Sequence, residues 1–175
     1  MNFFKKLLFI LVFLSLSINF LKAEDKVSYI DIDYILTNTI SGKELLNALK
    51  NEEELKINKF ELKDISFINQ EKKILAKKNL ISKDELNKQI KILQVKFQKY
   101  KIKKNEEIDE FKNKRNMNIV NFLNLINPII EKYMADNSIY MLIDKKNVFI
   151  ANKEYDVTNN LIELIDNQIK NIELK

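Results

Sequence analysis

Apolar residues are arranged along the chain in two ways: one unbroken run near the start, and periodic spacing over most of the remainder. The run covers residues 7–14, follows two lysines, and is itself followed by a small residue at Ala23. This order predicts a secretory signal peptide over residues 1–23 that is cut after Ala23. Leu21 suits the position three residues from the cut less well than alanine would, so an uncleaved membrane anchor stays an alternative.

A helical pattern begins near Gly42. Apolar residues then recur at roughly every third or fourth position among charged ones: Leu45, Leu46, Leu49, Leu55, Phe60, Leu62, Ile65 and Ile68. This spacing predicts a long amphipathic helix that packs these residues against a partner helix. Ser82 and Glu85 form the pattern of a capping box, with Ile81 and Leu86 as a hydrophobic staple, so a second helix is predicted to begin at Ser82.

The second helix carries a more regular apolar seam. Its members step by three and four residues: Leu86, Ile90, Leu93, Phe97, Tyr100, then Ile108, Phe111, Arg115, Ile119, Phe122, Ile126, Ile129 and Tyr133. The connection near residues 79–82 is so short that the two helices are predicted to form an antiparallel hairpin. Pro128 removes one helical hydrogen bond and predicts a kink or a new helix start. The aromatic members of the seam are interpreted as contacts between the helices.

Strand-like segments flank this hairpin in the sequence. Residues 26–32 predict one strand, and the apolar runs 139–143 and 148–151, separated by a polar turn, predict a hairpin of two buried strands. The segment Asp156-Val157-Thr158 then offers capping side chains to a last amphipathic helix. The apolar stripe of that helix consists of Ile162, Ile165, Ile169 and Ile172.

These elements predict an α+β fold with a long arm on a small body. The arm is the coiled-coil-like helical hairpin of residues 41–136, with its tip near residues 79–82. The body combines residues 24–40 with residues 137–175, which include the C-terminal helix. The strands of the body flank the arm in sequence, so they are expected to meet at its base.

Composition removes most kinds of catalytic chemistry. The chain has one glycine, one proline, no cysteine and no histidine, so it lacks thiol nucleophiles, disulfides and the commonest general base and metal ligand. Asp31, Asp33, Asp144 and Asp156 lie where strands, turns and helices begin or end, so they are expected to cap backbone groups. We therefore expect no enzymatic activity, no cofactor and no metal site.

Charge is divided unevenly along the chain. Residues 71–104 hold twelve lysines against three acids, a net charge of +9, and the rest of the chain after residue 23 sums to −7. Segregated charge steers association, which favours a partner-facing or membrane-facing surface over a merely solvated helix end. The lysines concerned are Lys72, Lys73, Lys77, Lys78, Lys83, Lys88 and Lys91. Nucleic acid is not expected as a partner, because no base-reading or aromatic-platform motif accompanies the charge.

The order of elements resembles the Skp/OmpH family of periplasmic chaperones. The resemblance is carried by residues 26–32, by Ser41-Gly42-Lys43 at the start of the first arm helix, by residues 139–144, and by Asp156-Val157-Thr158. It covers essentially all of residues 26–170. The near-absence of arginine departs from the family pattern and bears on contacts that need a guanidinium group rather than on the architecture.

The resemblance implies an ATP-independent holdase that keeps unfolded outer-membrane proteins soluble in the periplasm. It also implies a homotrimer, in which the strands of three chains form the body and the arms surround a cavity. Val27, Tyr29, Ile143 and Phe149 are the residues expected in the oligomeric body. An anionic lipid or lipopolysaccharide surface is a further expected partner. The alternative is a structural or adaptor hairpin of the cell envelope that bridges two assemblies.

Overall fold

The computed structural model describes residues 26–169, which form two strands, four helices and two short 3₁₀ turns. In chain order these are β1 (Lys26–Ile30), α1 (Ile32–Asn38), α2 (Ile40–Leu75), α3 (Lys83–Asp136), β2 (Ile139–Asp144), turns at Lys145–Asn147 and Lys153–Tyr155, and α4 (Thr158–Gln168). The expected signal peptide, its membrane-anchor alternative and Ile172 lie outside the described residues. Within residues 26–169, no helix has both the length and the hydrophobicity that crossing a membrane requires.

Helices α2 and α3 form the predicted hairpin arm, so the α+β architecture of arm and body is confirmed. At about 1.5 Å per residue, the two helices extend roughly 50 and 80 Å. The tip follows the predicted local pattern, because Ser82 Oγ accepts a hydrogen bond from the Glu85 backbone N–H at 3.2 Å and caps α3. The Glu85 carboxylate accepts a hydrogen bond from Gln89 Nε2 at 2.8 Å rather than from the Ser82 N–H, so only the Ser82 half of the predicted capping box forms.

Ion pairs between the helices fix the register of the arm. They join Lys114 to Glu52 at 2.9 Å, Lys59 to Glu107 at 2.6 Å, and Lys104 to Asp64 at 2.8 Å. Each step toward the tip on α2 is matched by a similar step toward the tip on α3, as antiparallel helices require. An α2 residue and an α3 residue beside the same ion pair therefore lie at similar distances from the body.

The apolar seam is confirmed on α3 except at Arg115, which is exposed because its charged group stays in water, and only partly on α2. Phe111, Phe122, Ile126 and Ile129 of α3 are buried, as are Leu45, Leu49 and Phe60 of α2. Packing was wrongly predicted for four α2 residues, since the exposed fractions are 71% for Leu55, 71% for Leu62, 53% for Ile65 and 50% for Ile68. The physical reason is that a single partner helix covers only one stripe of α2, and Phe60, Phe67 and the ion-paired Asp64 occupy that stripe.

Pro128 does not start a new helix, contrary to one of the two predicted outcomes. It lies inside α3, which continues to Asp136. Pro128 cannot donate a backbone hydrogen bond. Its neighbours Ile126 and Ile129 are both buried in the core at the base of the arm, and this packing accounts for the continuity of the helix.

The predicted C-terminal β-hairpin does not form. β2 pairs with β1, in parallel, with Val27 opposite Met141 and Tyr29 opposite Ile143. Residues 148–151 are not a strand within the described chain. The turn after β2 is drawn toward α1 instead of back along β2, because Lys145 and Lys146 form ion pairs with Asp31 and Asp33 at 3.2 and 2.9 Å.

One hydrophobic core holds the body and the base of the arm together. It consists of Ile30, Ile35, Leu45, Leu49, Phe122, Ile126, Ile129, Ile139, Val157, Leu161, Ile165 and Ile169. Helix α4 is fastened to β1 at its start, where the Val157 N–H donates to the Tyr29 carbonyl at 3.1 Å and Thr158 Oγ1 accepts from the Asp31 N–H at 2.9 Å. Body and arm base are therefore one folding unit.

The only glycine stands at the corner between α1 and α2. Thr39 caps α2 by accepting the Gly42 N–H on its hydroxyl at 3.1 Å. A Cβ at position 42 would collide with the backbone carbonyl of Leu36 and with Thr39 Oγ1. Glycine is therefore required here by the close approach of the two helices.

We expect Gly42→Ala to lower the free energy of unfolding by about 1–3 kcal/mol, because backbone at the corner must shift to admit the methyl group. Urea denaturation followed by circular dichroism measures the loss. Asn47→Ala, at an exposed position on the same helix, is the control and should be neutral or slightly stabilising. An equal effect of the two substitutions would contradict the steric role of Gly42.

Candidate interaction surfaces

The predicted lysine cluster is displayed on the outermost part of the arm. All seven lysines are exposed. Within residues 26–169 none of them takes part in an ion pair, whereas the ion pairs between α2 and α3 all lie closer to the body. The tip therefore presents positive charge that this part of the chain does not neutralise.

An apolar residue sits among these lysines at the turn of the hairpin. Leu80 is 82% exposed, and Leu75 at the end of α2 is also exposed. Sequence reasoning treated the tip as a purely electrostatic surface and missed this feature. The signal was available, because Leu80 falls between the end of one helix and the cap of the next, where no helix can cover it.

The arm also leaves many large apolar side chains in contact with solvent. On α2 these include Leu55, Leu62, Ile65 and Ile68, and on α3 they include Ile92, Val95 and Ile102. Soluble proteins rarely expose so much apolar surface on one element unless it binds something. The exposed apolar residues of the arm were not singled out from the sequence, since the α2 pattern was read as a packing face.

A polar and aromatic cluster crosses the middle of the arm. The Tyr100 hydroxyl donates to the Phe60 carbonyl at 3.1 Å, and Phe67 contacts the rings of Phe97 and Tyr100 with centroids 5.2 Å apart in each case. The hydrogen bond from Lys104 lowers the pKa of Asp64. Burial is the main cause that raises the pKa of the Tyr100 hydroxyl, and the neighbouring Asp64 raises this pKa further. The cluster therefore joins the two helices in the middle of the arm.

Three of the four residues expected in the oligomeric body line one groove. Val27, Tyr29 and Ile143 lie along a groove of about 690 Å³ beside β1, together with Val148 and Ile150. Phe149 projects next to this groove and is fully exposed, at 101%. The groove and the phenyl group of Phe149 are both apolar. Within residues 26–169, no other segment covers either of them.

The four carboxylates that are expected to cap backbone groups have local structural roles. Asp31 caps α1 by accepting the Tyr34 N–H, which is the main reason its pKa is lowered. Asp144 accepts the Lys146 N–H, Asp156 accepts the Thr158 N–H, and Asp33 pairs with Lys146. The expectation of backbone caps is confirmed for Asp31, Asp144 and Asp156. In the described part of the chain, no three potential metal-binding side chains come together.

Comparisons with known proteins agree with this architecture. Residues 26–165 match the model of the family described as Outer membrane protein (OmpH-like). The fold is similar to a crystal structure from Caulobacter crescentus CB15, described as a candidate outer membrane chaperone (OmpH-like), with a TM-score of 0.76 and 21% sequence identity. The similarity covers 84% of this chain and 87% of that one. No functionally curated protein matches the sequence.

Proposed function

The chain belongs to the OmpH-like family, and on that premise we propose that it is an ATP-independent holdase chaperone of the periplasm. Its clients are unfolded outer-membrane proteins, which it keeps soluble before their assembly. Residues 1–23 direct export and are removed after Ala23. The protein acts by binding alone, without a cofactor and without catalysing a reaction.

The observation that carries this proposal is the exposed apolar surface of the arm. Leu55, Leu62 and Ile65 are exposed on the outer part of α2, where α3 is the one neighbouring helix within residues 26–169. Partial burial of one such side chain against a client contributes about 0.5–1 kcal/mol. Many weak contacts of this kind hold an unfolded chain without requiring a fixed sequence or a deep pocket.

Assembly of three chains supplies the enclosure that a single arm lacks. The described part of each chain contains a two-stranded sheet, which leaves the outer edge of β2 unpaired, and unpaired strand edges favour association with another chain. The body groove and Phe149 offer apolar surface to a neighbouring copy. In the proposed trimer, Phe149 of one copy fills the groove beside Val27, Tyr29 and Ile143 of the next.

The lysine tip draws clients toward the arms. Its exposed, unpaired charges attract acidic segments over about 8–10 Å at physiological salt. The same charges, with Leu80 between them, suit contact with anionic lipid or lipopolysaccharide. Electrostatic attraction accelerates capture, and apolar contacts along the arm then retain the client.

Replacing Leu55, Leu62 and Ile65 together by glutamine should weaken client binding while leaving the arm helical, because glutamine is a good helix former. Loss of about 2 kcal/mol of apolar contact corresponds to a roughly 30-fold higher Kd. Fluorescence titration of a labelled, urea-unfolded outer-membrane protein measures the change. The matched control replaces Asn51, Asn58 and Asn69, exposed on the same helix, by glutamine. Equal affinities for the two variants would remove the proposed role of the exposed apolar residues.

Phe149→Asp should dissociate the trimer without unfolding the chain. Because Phe149 is fully exposed in the single chain, the substitution disturbs no intrachain packing, but in the assembly it places a charge in an apolar groove. Sedimentation equilibrium should give a monomer with an unchanged circular dichroism spectrum, whereas the control Phe149→Leu should stay trimeric. A trimeric aspartate variant, or a monomeric wild type at micromolar concentration, would show that the proposed body interface is wrong.

Removing the tip lysines should slow client capture as high salt does. The variant replaces five of them by glutamine: Lys72, Lys73, Lys77, Lys78 and Lys83. Stopped-flow fluorescence across a salt series should show a slower association rate at low salt and nearly unchanged dissociation. The control removes five exposed lysines elsewhere: Lys43, Lys50, Lys63, Lys132 and Lys153. Equal association rates for tip variant and control would mean that the tip is only a solvated helix end.

A further inference from the structure

One face of the arm is a continuous furrow between α2 and α3. Two cavities of about 570 and 540 Å³ lie in it, and Lys104 lines both. Lys56, Phe60 and Phe67 of α2 line these cavities, and six further α2 residues step by 4, 4, 3, 4 and 3 positions, which places those six on one side of the helix. They are Glu53, Ile57, Glu61, Asp64, Ile68 and Glu71. We call this feature the arm furrow.

The opposite rim of the arm furrow has the same regularity. On α3 the residues that line it at steps of 7, 4, 3, 4 and 3 are Gln94, Lys101, Asn105, Ile108, Lys112 and Arg115. Aromatic side chains form the floor between the two rims: Phe60, Phe67, Phe97 and Phe111. The arm furrow is thus apolar at its centre and polar along both edges.

The two rims carry opposite charge. The α2 rim is acidic apart from Lys56, which pairs with Glu52 at 3.9 Å, and its Glu53 and Glu61 are exposed. The α3 rim is basic, and its Lys101 and Arg115 are exposed as well. Within residues 26–169 these four side chains form no ion pair with one another or with other residues, unlike Asp64 and Lys104 between them. The rims therefore present unneutralised charge beside an apolar floor.

This pattern is complementary to a second copy of itself in one orientation. When two arms lie parallel and face to face, a twofold axis along the furrow sets the acidic rim of each against the basic rim of the other. Because the Glu52–Lys114 pair fixes the register within one arm, Glu53 then lies within a few ångströms of the level of Arg115 of the second copy. In the antiparallel orientation, acidic rims would face each other.

We propose that the arm furrow is a docking site for the arm furrow of a second copy, and that two arms close on each other when no client is bound. The inference rests on the proposed assembly, which holds the arm bases together and the arms parallel. Because the three bodies are related by a threefold axis, the two docked arms turn out of that symmetry above their bases, and the third arm stays undocked. In the closed pair each α2 lies opposite an α3 of the other copy, so every helix is antiparallel to its neighbours, as in up-and-down four-helix bundles. Closure removes the aromatic floor from water.

Closure gives the assembly two states that compete for the same apolar surface. A client that contacts the floor of the arm furrow binds only the open arms, so it shifts the population toward them. The exposed residues on the other faces of the arm, such as Leu62, stay accessible in both states. First contact with a client is therefore made outside the furrow, and opening follows.

Cysteine cross-linking tests the closed pair directly, because the chain has no cysteine of its own. Two variants are made, Ile57→Cys and Ile108→Cys, at similar distances from the body on the two rims. They are assembled as a mixture and oxidised mildly. We expect several-fold more cross-linking in this mixture than with either variant alone, and a loss of cross-linking when an unfolded client is added. The control mixture pairs Leu62→Cys with Ile102→Cys. Both positions are exposed and lie at similar distances from the body, but they do not line the furrow.

Charge reversal is the second part of the test. Glu53→Lys with Glu61→Lys should reduce cross-linking several-fold, and adding Lys101→Glu with Arg115→Glu to the same chain should restore it, because the rims are then complementary with their signs exchanged. Cross-linking that is equal for the furrow and control mixtures, or that charge reversal leaves unchanged, would overturn the proposal. Sedimentation of the same samples distinguishes this outcome from failure of the trimer, which would abolish the assembly itself.

Discussion

The parallel pairing of β1 with β2 is the constraint on which the rest of the structure depends. Parallel strands cannot be joined by a tight turn and need a crossover connection, and here the whole of residues 31–138 is that connection. Pairing Tyr29 with Ile143 brings the two ends of the arm to one place, where α1 and α4 close the core around Phe122 and Ile126. The arm can be long because its base, and only its base, is held in this way.

A two-helix arm cannot bury the apolar residues that its sequence contains. Along the outer arm each helix has one neighbour within residues 26–169, so one stripe is covered and the remaining apolar side chains face solvent. Ion pairs, the Tyr100 hydrogen bond and a few aromatic contacts keep the helices in register along the outer arm. The body therefore supplies most of the stability of the fold. The proposed client contacts use apolar side chains of the arm that the fold does not need to bury.

Much of the fold could be predicted from the sequence because its signals are local. The cap at Ser82 involves residues within one turn, and the α3 seam from Phe111 to Ile129 follows simple helical periodicity. The apolar run 148–151 predicts a buried strand, because runs of that length are usually buried, but the segment itself does not specify what covers it. Leu62 and Ile65 have the spacing of a packing face, and only the three-dimensional structure shows that no helix lies against them. The charged rims of the arm furrow depend on the register between two helices, which no single segment encodes.

The central claim is that exposed arm surface keeps unfolded outer-membrane proteins soluble without an energy source. Light scattering of a β-barrel outer-membrane protein diluted from urea, with and without this protein and in the absence of ATP, tests it most directly. We expect scattering to be suppressed, for several unrelated β-barrel clients, once the chaperone assembly is in stoichiometric excess. Unchanged aggregation of every client, together with a stoichiometric complex with one folded envelope protein, would contradict the account and identify the chain as an adaptor.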